Sequence, residues 1–203
     1  MRAIVIPPLV ASREPEARGE ALAVWLAAEG VREVAWAPGA SSESPGWEGF
    51  LGGMEASERP RGAASDIASV RHELGDEPIL VVGLDVGCAF DAADLRKEHL
   101  ASPAIATLAV LPVESREGGN IEMDRAGRIL RLTASRRGET MAWENARAYI
   151  IEPRLFESVP ADEDWGIEAD LFRLVLQSQG ILGGFKIRGG RPLASGGRST
   201  AKA

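Results

Sequence analysis

Residues 75–86 read Gly-Asp-Glu-Pro-Ile-Leu-Val-Val-Gly-Leu-Asp-Val, and this stretch decides the fold class. Residues 79–82 form the most apolar short run in the chain and predict a buried strand. The run continues through Gly83 and Leu84 into Asp85, which puts an acidic side chain at the carboxyl end of that strand. Because ligands of open parallel sheets bind at this edge, Asp85 is a candidate site residue.

The first 36 residues predict a crossover unit of the kind that builds parallel sheets. Residues 3–6 and 31–36 are apolar runs typical of strands, and residues 15–29 between them repeat apolar side chains near helical spacing. Gly30 suits the cap at the end of that helix. A strand, a helix and a second strand in this order indicate a right-handed βαβ unit.

Further elements extend the pattern on both sides of residues 75–86. We predict helices over 63–74, from Asp91 to about 100, over 153–158 and over 167–179, and strands over 104–113, 121–123, 128–132, 143–151 and 181–187. Residues 124–127 are the turn of a hairpin, and residues 38–62, rich in Gly, Pro and Ser, are a loop. The predicted fold is an α/β doubly wound, mainly parallel mixed sheet with helices on both faces, a three-layer α/β/α arrangement. Residues 1–190 form a single domain and residues 191–203 a basic tail rich in Gly, Arg and Ser.

Composition excludes several classes of protein. The chain has 203 residues and a formal net charge of −7, so a general nucleic-acid-binding surface is not expected. Cys88 is the only cysteine, which excludes an internal disulfide and a cysteine-based zinc site. No apolar run is long enough for a membrane span and no secretory leader is visible, so we expect a cytoplasmic protein without membrane contact.

Positive charge is concentrated near the C-terminus. No Asp or Glu follows Asp170, whereas six cationic residues do: Arg173, Lys186, Arg188, Arg191, Arg198 and Lys202. Two interpretations remain open. The segment contacts a small anion or an acidic partner, or it is a solvated tail.

Four strings in this order resemble the sugar-1-phosphate nucleotidyltransferases, the pyrophosphorylases that make nucleotide sugars such as GDP-mannose. The first string is Gly75 to Val86, where the family has an apolar strand ending in Asn-Gly-Asp-Val, and the second is Asp94-Leu95 to His99 with Ala106 to Val110. The third is Glu122 to Ile129, which is similar to the family's Glu-x-Asp-x-x-Gly-x-Val hairpin. The fourth is Asn145 to Ile150, which is similar to Asn-Ala-Gly-Ile-Tyr-Val. The resemblance covers about residues 1 to 190 and implies a Rossmann-like nucleotidyltransferase fold. The reaction it implies joins a nucleoside triphosphate to a sugar-1-phosphate and releases pyrophosphate, with Mg²⁺.

The phosphate-binding groups that the resemblance implies are missing. After its first strand the family has a Gly-rich loop followed by a Pro-Lys pair, whereas this chain has Pro7 and Pro8, which remove two N–H donors. The first lysine of the chain is Lys97. The family's Glu-Lys-Pro after the hairpin aligns with residues 133–137, so Arg136 or Arg137 stands in place of lysine.

The sugar and metal positions also depart from the family. Leu84 and Arg147 stand where the family has glycines that leave room for a ligand. The family's closing Trp-x-Asp-Ile-Gly-Thr-Pro supplies a second metal-binding aspartate, but residues 189–195 contain no carboxylate. Asp85 alone is a poor Mg²⁺ site.

Two residues keep both a functional and a structural interpretation. Asp85 is either a metal ligand or a cap of the loop that follows the strand. Asn145 either binds a sugar hydroxyl or is a polar residue at a strand edge. We assign no catalytic residue and no cofactor, with Mg²⁺ required only if the protein is active.

Three hypotheses of function follow. The first is a pseudoenzyme that acts as a regulatory or scaffolding subunit, as a homo-oligomer or beside an active paralogous subunit. The second is an active nucleotidyltransferase with a rebuilt site that uses Asp85, Arg13, Arg136 and Arg137. The third is a sensor that binds a nucleotide sugar without converting it.

Overall fold

The fold was analysed in a computed structural model that describes residues 1–6, 15–36, 62–113, 119–133 and 142–193. The strands of these residues are β1 (Arg2–Ile6), β2 (Glu33–Trp36), β3 (Ile79–Gly83), β4 (Cys88–Ala89), β5 (Ala106–Pro112), β6 (Ile121–Met123), β7 (Ile129–Leu132), β8 (Trp143–Ile151), β9 (Leu182–Lys186) and β10 (Arg191–Pro192). The helices are α1 (Pro15–Ala28), α2 (Ala63–Ser69), α3 (Arg71–Leu74), α4 (Ala92–Leu100) and α5 (Arg173–Gln177). A 3₁₀ helix spans Pro153–Ser158, and a π-helical segment, Ile167–Phe172, leads directly into α5.

The main sheet has β3 and β8 at its centre and extends from them to both sides. Its strand order is β2-β1-β3-β8-β5-β9, with the β6-β7 hairpin attached through β6 to β8. The pairs β1-β2, β1-β3 and β5-β9 are parallel, whereas β8 runs antiparallel to both of its neighbours, β3 and β5. The predicted mainly parallel mixed sheet is therefore confirmed, and its antiparallel pairs are those of β8 and of the β6-β7 hairpin.

Two apolar clusters cover the two faces of this sheet. Alternate residues of a strand point to opposite faces, so Ile4 and Ile6 of β1 belong to one cluster and Ala3 and Val5 to the other. The first cluster includes α2, the 3₁₀ helix, the π-helical segment and α5. The second includes α1 and α4. Helices on both faces confirm the predicted three-layer α/β/α arrangement.

Local sequence signals fix several element ends. Gly30 follows α1 with a φ of +71°, a left-handed conformation that glycine adopts without a Cβ clash. Asp91 caps α4, because its carboxylate accepts a hydrogen bond from the Asp94 amide at 2.8 Å. In the hairpin turn, Asp124 Oδ1 accepts from the amides of Ala126 and Arg128, both at 2.9 Å. These caps and turns lie where the sequence predicts them.

Some boundaries differ from prediction. The helix predicted over 63–74 is divided at Val70 into α2 and α3. Cys88 lies in β4, a short strand that is absent from the predicted elements and that pairs antiparallel with β10. Arg191 and Pro192, placed in the tail by sequence, form that partner strand, because backbone pairing two residues long leaves no signal in hydrophobic periodicity. Among the described residues, no helix has the length and apolar character needed to cross a bilayer.

Several predictions lie outside the described residues. They concern Pro7 and Pro8 after the first strand, Arg13, the loop 38–61, Arg136, Arg137 and the tail from residue 194 onward.

Candidate functional site

The antiparallel course of β8 brings its middle to the carboxyl end of β3. Val82 pairs with Ala148, so Arg147 lies beside Gly83 at the end of β3. Asp85 follows two residues after Gly83 in a turn held by a hydrogen bond from the Val86 amide to the Gly83 carbonyl at 3.0 Å. The edge of the sheet that the sequence marks as a ligand edge therefore carries Asp85 and Arg147 together.

Arg147 bridges two carboxylates at this edge. Its Nε donates to Asp85 Oδ1 at 3.0 Å, and its Nη1 donates to Glu168 Oε1 at 2.6 Å. Its side chain is 9% exposed, against 19% for Asp85 and 18% for Glu168. Charged hydrogen bonds of this kind are roughly twice as strong as neutral ones, and burial limits screening by salt.

The backbone of β8 is irregular at this point. Between Leu108 and Val110 of β5 the pairing with β8 shifts register, so that Tyr149 lies opposite Leu108 and Asn145 opposite Val110. Within this bulge Arg147 has a φ of +64°, which a side chain with a Cβ adopts only at a cost of about 1 to 2 kcal/mol. Asn145 Oδ1 accepts a hydrogen bond from the Arg147 amide at 2.9 Å and holds the strained residue in place.

Glu168 enters the site from the π-helical segment. It lies in the first turn of that segment, and single π turns inside helices often occur at functional positions. The Tyr149 hydroxyl donates a short hydrogen bond to Glu168 Oε1. Asn145 Nδ2 donates to the Tyr149 hydroxyl at 2.9 Å and to Glu168 at 3.3 Å. We call these five residues, Asp85, Asn145, Arg147, Tyr149 and Glu168, the Arg147 cluster.

Burial and charge fix the protonation states in the Arg147 cluster. Burial raises the pKa of Tyr149 well above its usual value, and the neighbouring Glu168 raises it further, so Tyr149 is a hydrogen-bond donor at neutral pH. Burial by itself lowers the pKa of Arg147. The attraction of Tyr149, Glu168 and Asp85 outweighs that effect, so the pKa is raised and the guanidinium stays charged.

Gly83 provides the room that the guanidinium occupies. A Cβ added at position 83 would lie 2.5 Å from Asp85 Oδ1 and 3.0 Å from Arg147 Nε. The resemblance described above places Asn at this position in the family and Gly at the position of Arg147. The two departures are complementary, because the side chain missing at 83 leaves the space that the side chain at 147 fills.

Both candidate residues from the sequence belong to the Arg147 cluster. The Asp85 carboxylate accepts a hydrogen bond from the Arg147 guanidinium, and both ends of the Asn145 carboxamide are used in hydrogen bonds within the cluster. No group of three or more His, Cys, Asp or Glu side chains suited to a metal occurs in the part of the chain that is described. With a cation already between Asp85 and Glu168, these residues do not fit Mg²⁺.

The sequence predicts neither Glu168 nor Tyr149 as a site residue, and it presents Arg147 only as a large side chain in a space where the family leaves room for a ligand. One signal was available. Arg147 interrupts the apolar run from Ala146 to Ile151, and a cation in a buried strand requires an acidic partner. The identity of that partner, 21 residues further along the chain, depends on tertiary structure.

Comparison with known proteins gives structural matches only. No protein family model matches the chain, and no curated protein matches it. Among solved structures, HddC from Yersinia pseudotuberculosis superimposes with a TM-score of 0.71 at 14% identity, covering 92% of this chain and 90% of that chain. The fold is nucleotidyltransferase-like. A second structure of HddC, complexed with GMP-PN, matches this chain with a TM-score of 0.70 at 16% identity and the same coverage.

Proposed function

We propose that this nucleotidyltransferase-like protein is non-catalytic and acts as a regulatory or scaffolding subunit, either as a homo-oligomer or beside an active relative. The observation that carries the proposal is the position of the Arg147 guanidinium, which is hydrogen-bonded to both Asp85 and Glu168. Each of these carboxylates already has a cationic partner inside the protein.

Electrostatics connects this position to function. Transfer of a nucleotidyl group gathers several negative phosphate oxygens, and a divalent cation commonly offsets their charge. Asp85 and Glu168 are the acidic side chains at the carboxyl end of β3 that would hold such a cation. Because Arg147 supplies the positive charge itself and fills the space beside Gly83, a metal would have to displace a buried guanidinium.

A second candidate function is binding of a nucleotide sugar without conversion. It is supported by the HddC structure complexed with GMP-PN, which has the same fold. Asp85 and Glu168 retain some solvent contact, so a ligand could still reach the edge of the Arg147 cluster.

A pyrophosphate-release assay with common nucleoside triphosphates, sugar-1-phosphates and Mg²⁺ tests the first proposal. We expect no turnover by the wild-type protein. Turnover that is lost in the variant Asp85→Asn would overturn the proposal and establish an active enzyme.

Thermal denaturation in the presence of nucleotide sugars separates the two candidates. A ligand at about 100 times its dissociation constant stabilises the folded state by roughly 2.7 kcal/mol. A shift of that size with no turnover favours the sensor, and no shift together with a stable oligomer favours the scaffold.

A further inference from the structure

A cavity of about 570 Å³ lies between α4, the turn of the β6-β7 hairpin and the end of β9. It shares no lining residue with the Arg147 cluster. The hairpin is fixed against β9 by a hydrogen bond from the Gly184 amide to the Gly127 carbonyl at 2.8 Å, so two of the three walls are held together. The inference drawn from this cavity goes beyond the proposed function and does not depend on it.

Four cationic side chains line the cavity. Lys97 comes from α4, Arg125 from the hairpin turn, and Lys186 and Arg188 from the end of β9. None of the four makes an ion pair with any residue that the structure describes. The ammonium group of Lys186 lies 5.1 Å from the centre of the Trp143 ring, on the face of the sheet opposite Phe185, so three of the four cations remain for a ligand beside Phe185.

Acidic side chains line only one side of the cavity. Asp91, Asp94 and Glu98 belong to α4 or its cap, and Asp91 already accepts the hydrogen bond that caps the helix. In the hairpin turn, Asp124 pairs with Arg128 and not with Arg125. The hairpin turn and the end of β9 therefore contribute cationic residues and no acidic ones to the lining, and their charge would attract an anion.

The cavity also has an aromatic surface. Phe90 and Phe185 both line it, with ring centres 6.1 Å apart, and Phe90 packs against Trp25 at 5.0 Å. Phe185 is only partly buried, so its ring is accessible from the cavity. Apolar surface beside a few charged groups in a space of several hundred Å³ is typical of sites for small organic ligands.

The larger cavity of the described chain lacks this combination. It has a volume of about 690 Å³ and lies at the amino ends of the strands. Two of its arginines are paired, Arg2 with Glu33 at 2.8 Å and Arg96 with Glu77 at 2.9 Å. Its positive charge is therefore largely neutralised within the protein.

We propose that the cavity beside β9 binds a small organic phosphate ester. Arg188 and Arg125 contact the phosphate, and Phe185 contacts the organic part. Two guanidinium groups that come from two different elements suit a tetrahedral group with several oxygens. Arg188 also belongs to the segment after Asp170, which contains no Asp or Glu. Contact with a small anion is one of the two interpretations of that segment from the sequence.

Calorimetric titration with phenyl phosphate and with inorganic phosphate at low ionic strength tests this proposal. We expect phenyl phosphate to bind more tightly than inorganic phosphate. The double variant Arg125→Gln and Arg188→Gln is expected to weaken the binding of phenyl phosphate by about tenfold or more, since it removes two charged hydrogen-bond donors. Phe185→Leu is expected to remove the preference for phenyl phosphate.

Arg32→Gln is the matched control, because Arg32 is an exposed arginine that lines the other cavity. It is expected to leave both affinities unchanged. No heat from either probe, or an equal weakening by Arg32→Gln, would overturn the proposal. If Phe185→Leu lowers stability, Arg188→Gln alone still tests the proposal, because Arg188 is exposed and its substitution is expected to leave the fold unchanged. Asp85→Asn is expected to have no effect, which separates this test from that of the proposed function.

Discussion

The Arg147 side chain occupies the space beside Gly83, with its Nε 3.0 Å from where a Cβ at position 83 would lie. The two positions lie side by side on the neighbouring strands β8 and β3. One carries the smallest residue and the other one of the largest. Because Gly83 has no side chain, the Arg147 side chain fills the space beside it and packs the edge of the sheet. The same arrangement places the guanidinium against Asp85 and Glu168.

Gly83→Ala is expected to destabilise the protein by about 1 to 3 kcal/mol, because the added methyl overpacks the Arg147 cluster. Gly87→Ala is the matched control. A Cβ there meets nothing within 4 Å, so we expect a change within about 0.5 kcal/mol. Urea denaturation measures both. Equal effects of the two substitutions would contradict the close packing at Gly83.

Arg147→Ala and Arg147→Gly both remove the guanidinium and leave two carboxylates without their shared partner, so both are expected to lower stability by about 3 kcal/mol or more. They differ in backbone strain. Since the φ of residue 147 is +64°, the glycine variant is expected to be more stable than the alanine variant by about 1 kcal/mol. The difference in urea midpoint measures this. An alanine variant as stable as the glycine variant would show that the left-handed backbone is not retained.

The sequence predicts the scaffold better than the site because its signals are local. Apolar runs such as 79–82, the cap at Asp91 and the turn at Asp124 are each set by a few consecutive residues, and all occur where predicted. The Arg147 cluster joins residues from β3, β8 and the π-helical segment. The sequence singles out Asp85 and Asn145 as candidates, but the contacts that they make depend on the antiparallel insertion of β8.

Tyr149 is the only tyrosine of the chain, so the ultraviolet absorbance of phenolate reports on it alone. Its hydroxyl is buried against Glu168, which raises its pKa above the usual value of about 10. The unfolded chain therefore releases this proton at lower pH than the folded chain, and stability falls as the pH rises above about 10. We expect phenolate absorbance to appear only together with unfolding. Ionisation near pH 10 in the folded protein would contradict the buried hydrogen bond.

Tyr149→Phe removes the hydroxyl that donates to Glu168 and accepts from Asn145. We expect a loss of about 1 to 3 kcal/mol, since partners are left buried with fewer hydrogen bonds. Urea denaturation of this variant is the measurement. A neutral effect would mean that the hydroxyl does not hold Glu168 beside Arg147.

His99 gives a pH dependence at the acidic side. It is 1% exposed, with Nδ1 2.9 Å from Thr107 Oγ1 and Nε2 3.3 Å from Glu152 Oε1. Burial lowers its pKa below 6.5, and the nearby Glu152 opposes this only in part. Because the unfolded chain takes up the proton first, stability is expected to fall as the pH drops below about 6.5.

Substitution of His99 tests this dependence. His99→Gln is expected to reduce the fall in stability below pH 6.5 relative to the wild type. Thermal denaturation across this pH range measures the slope. The same slope in wild type and His99→Gln would show that His99 does not couple protonation to folding.

The proposed function rests on the internal cation at Arg147, which takes the place of a divalent metal between Asp85 and Glu168. Calorimetric titration of the wild-type protein with a nucleoside triphosphate in the presence of Mg²⁺ tests it most directly. We predict no heat of binding at sub-millimolar concentrations. Micromolar binding that disappears in Asp85→Asn would contradict the claim.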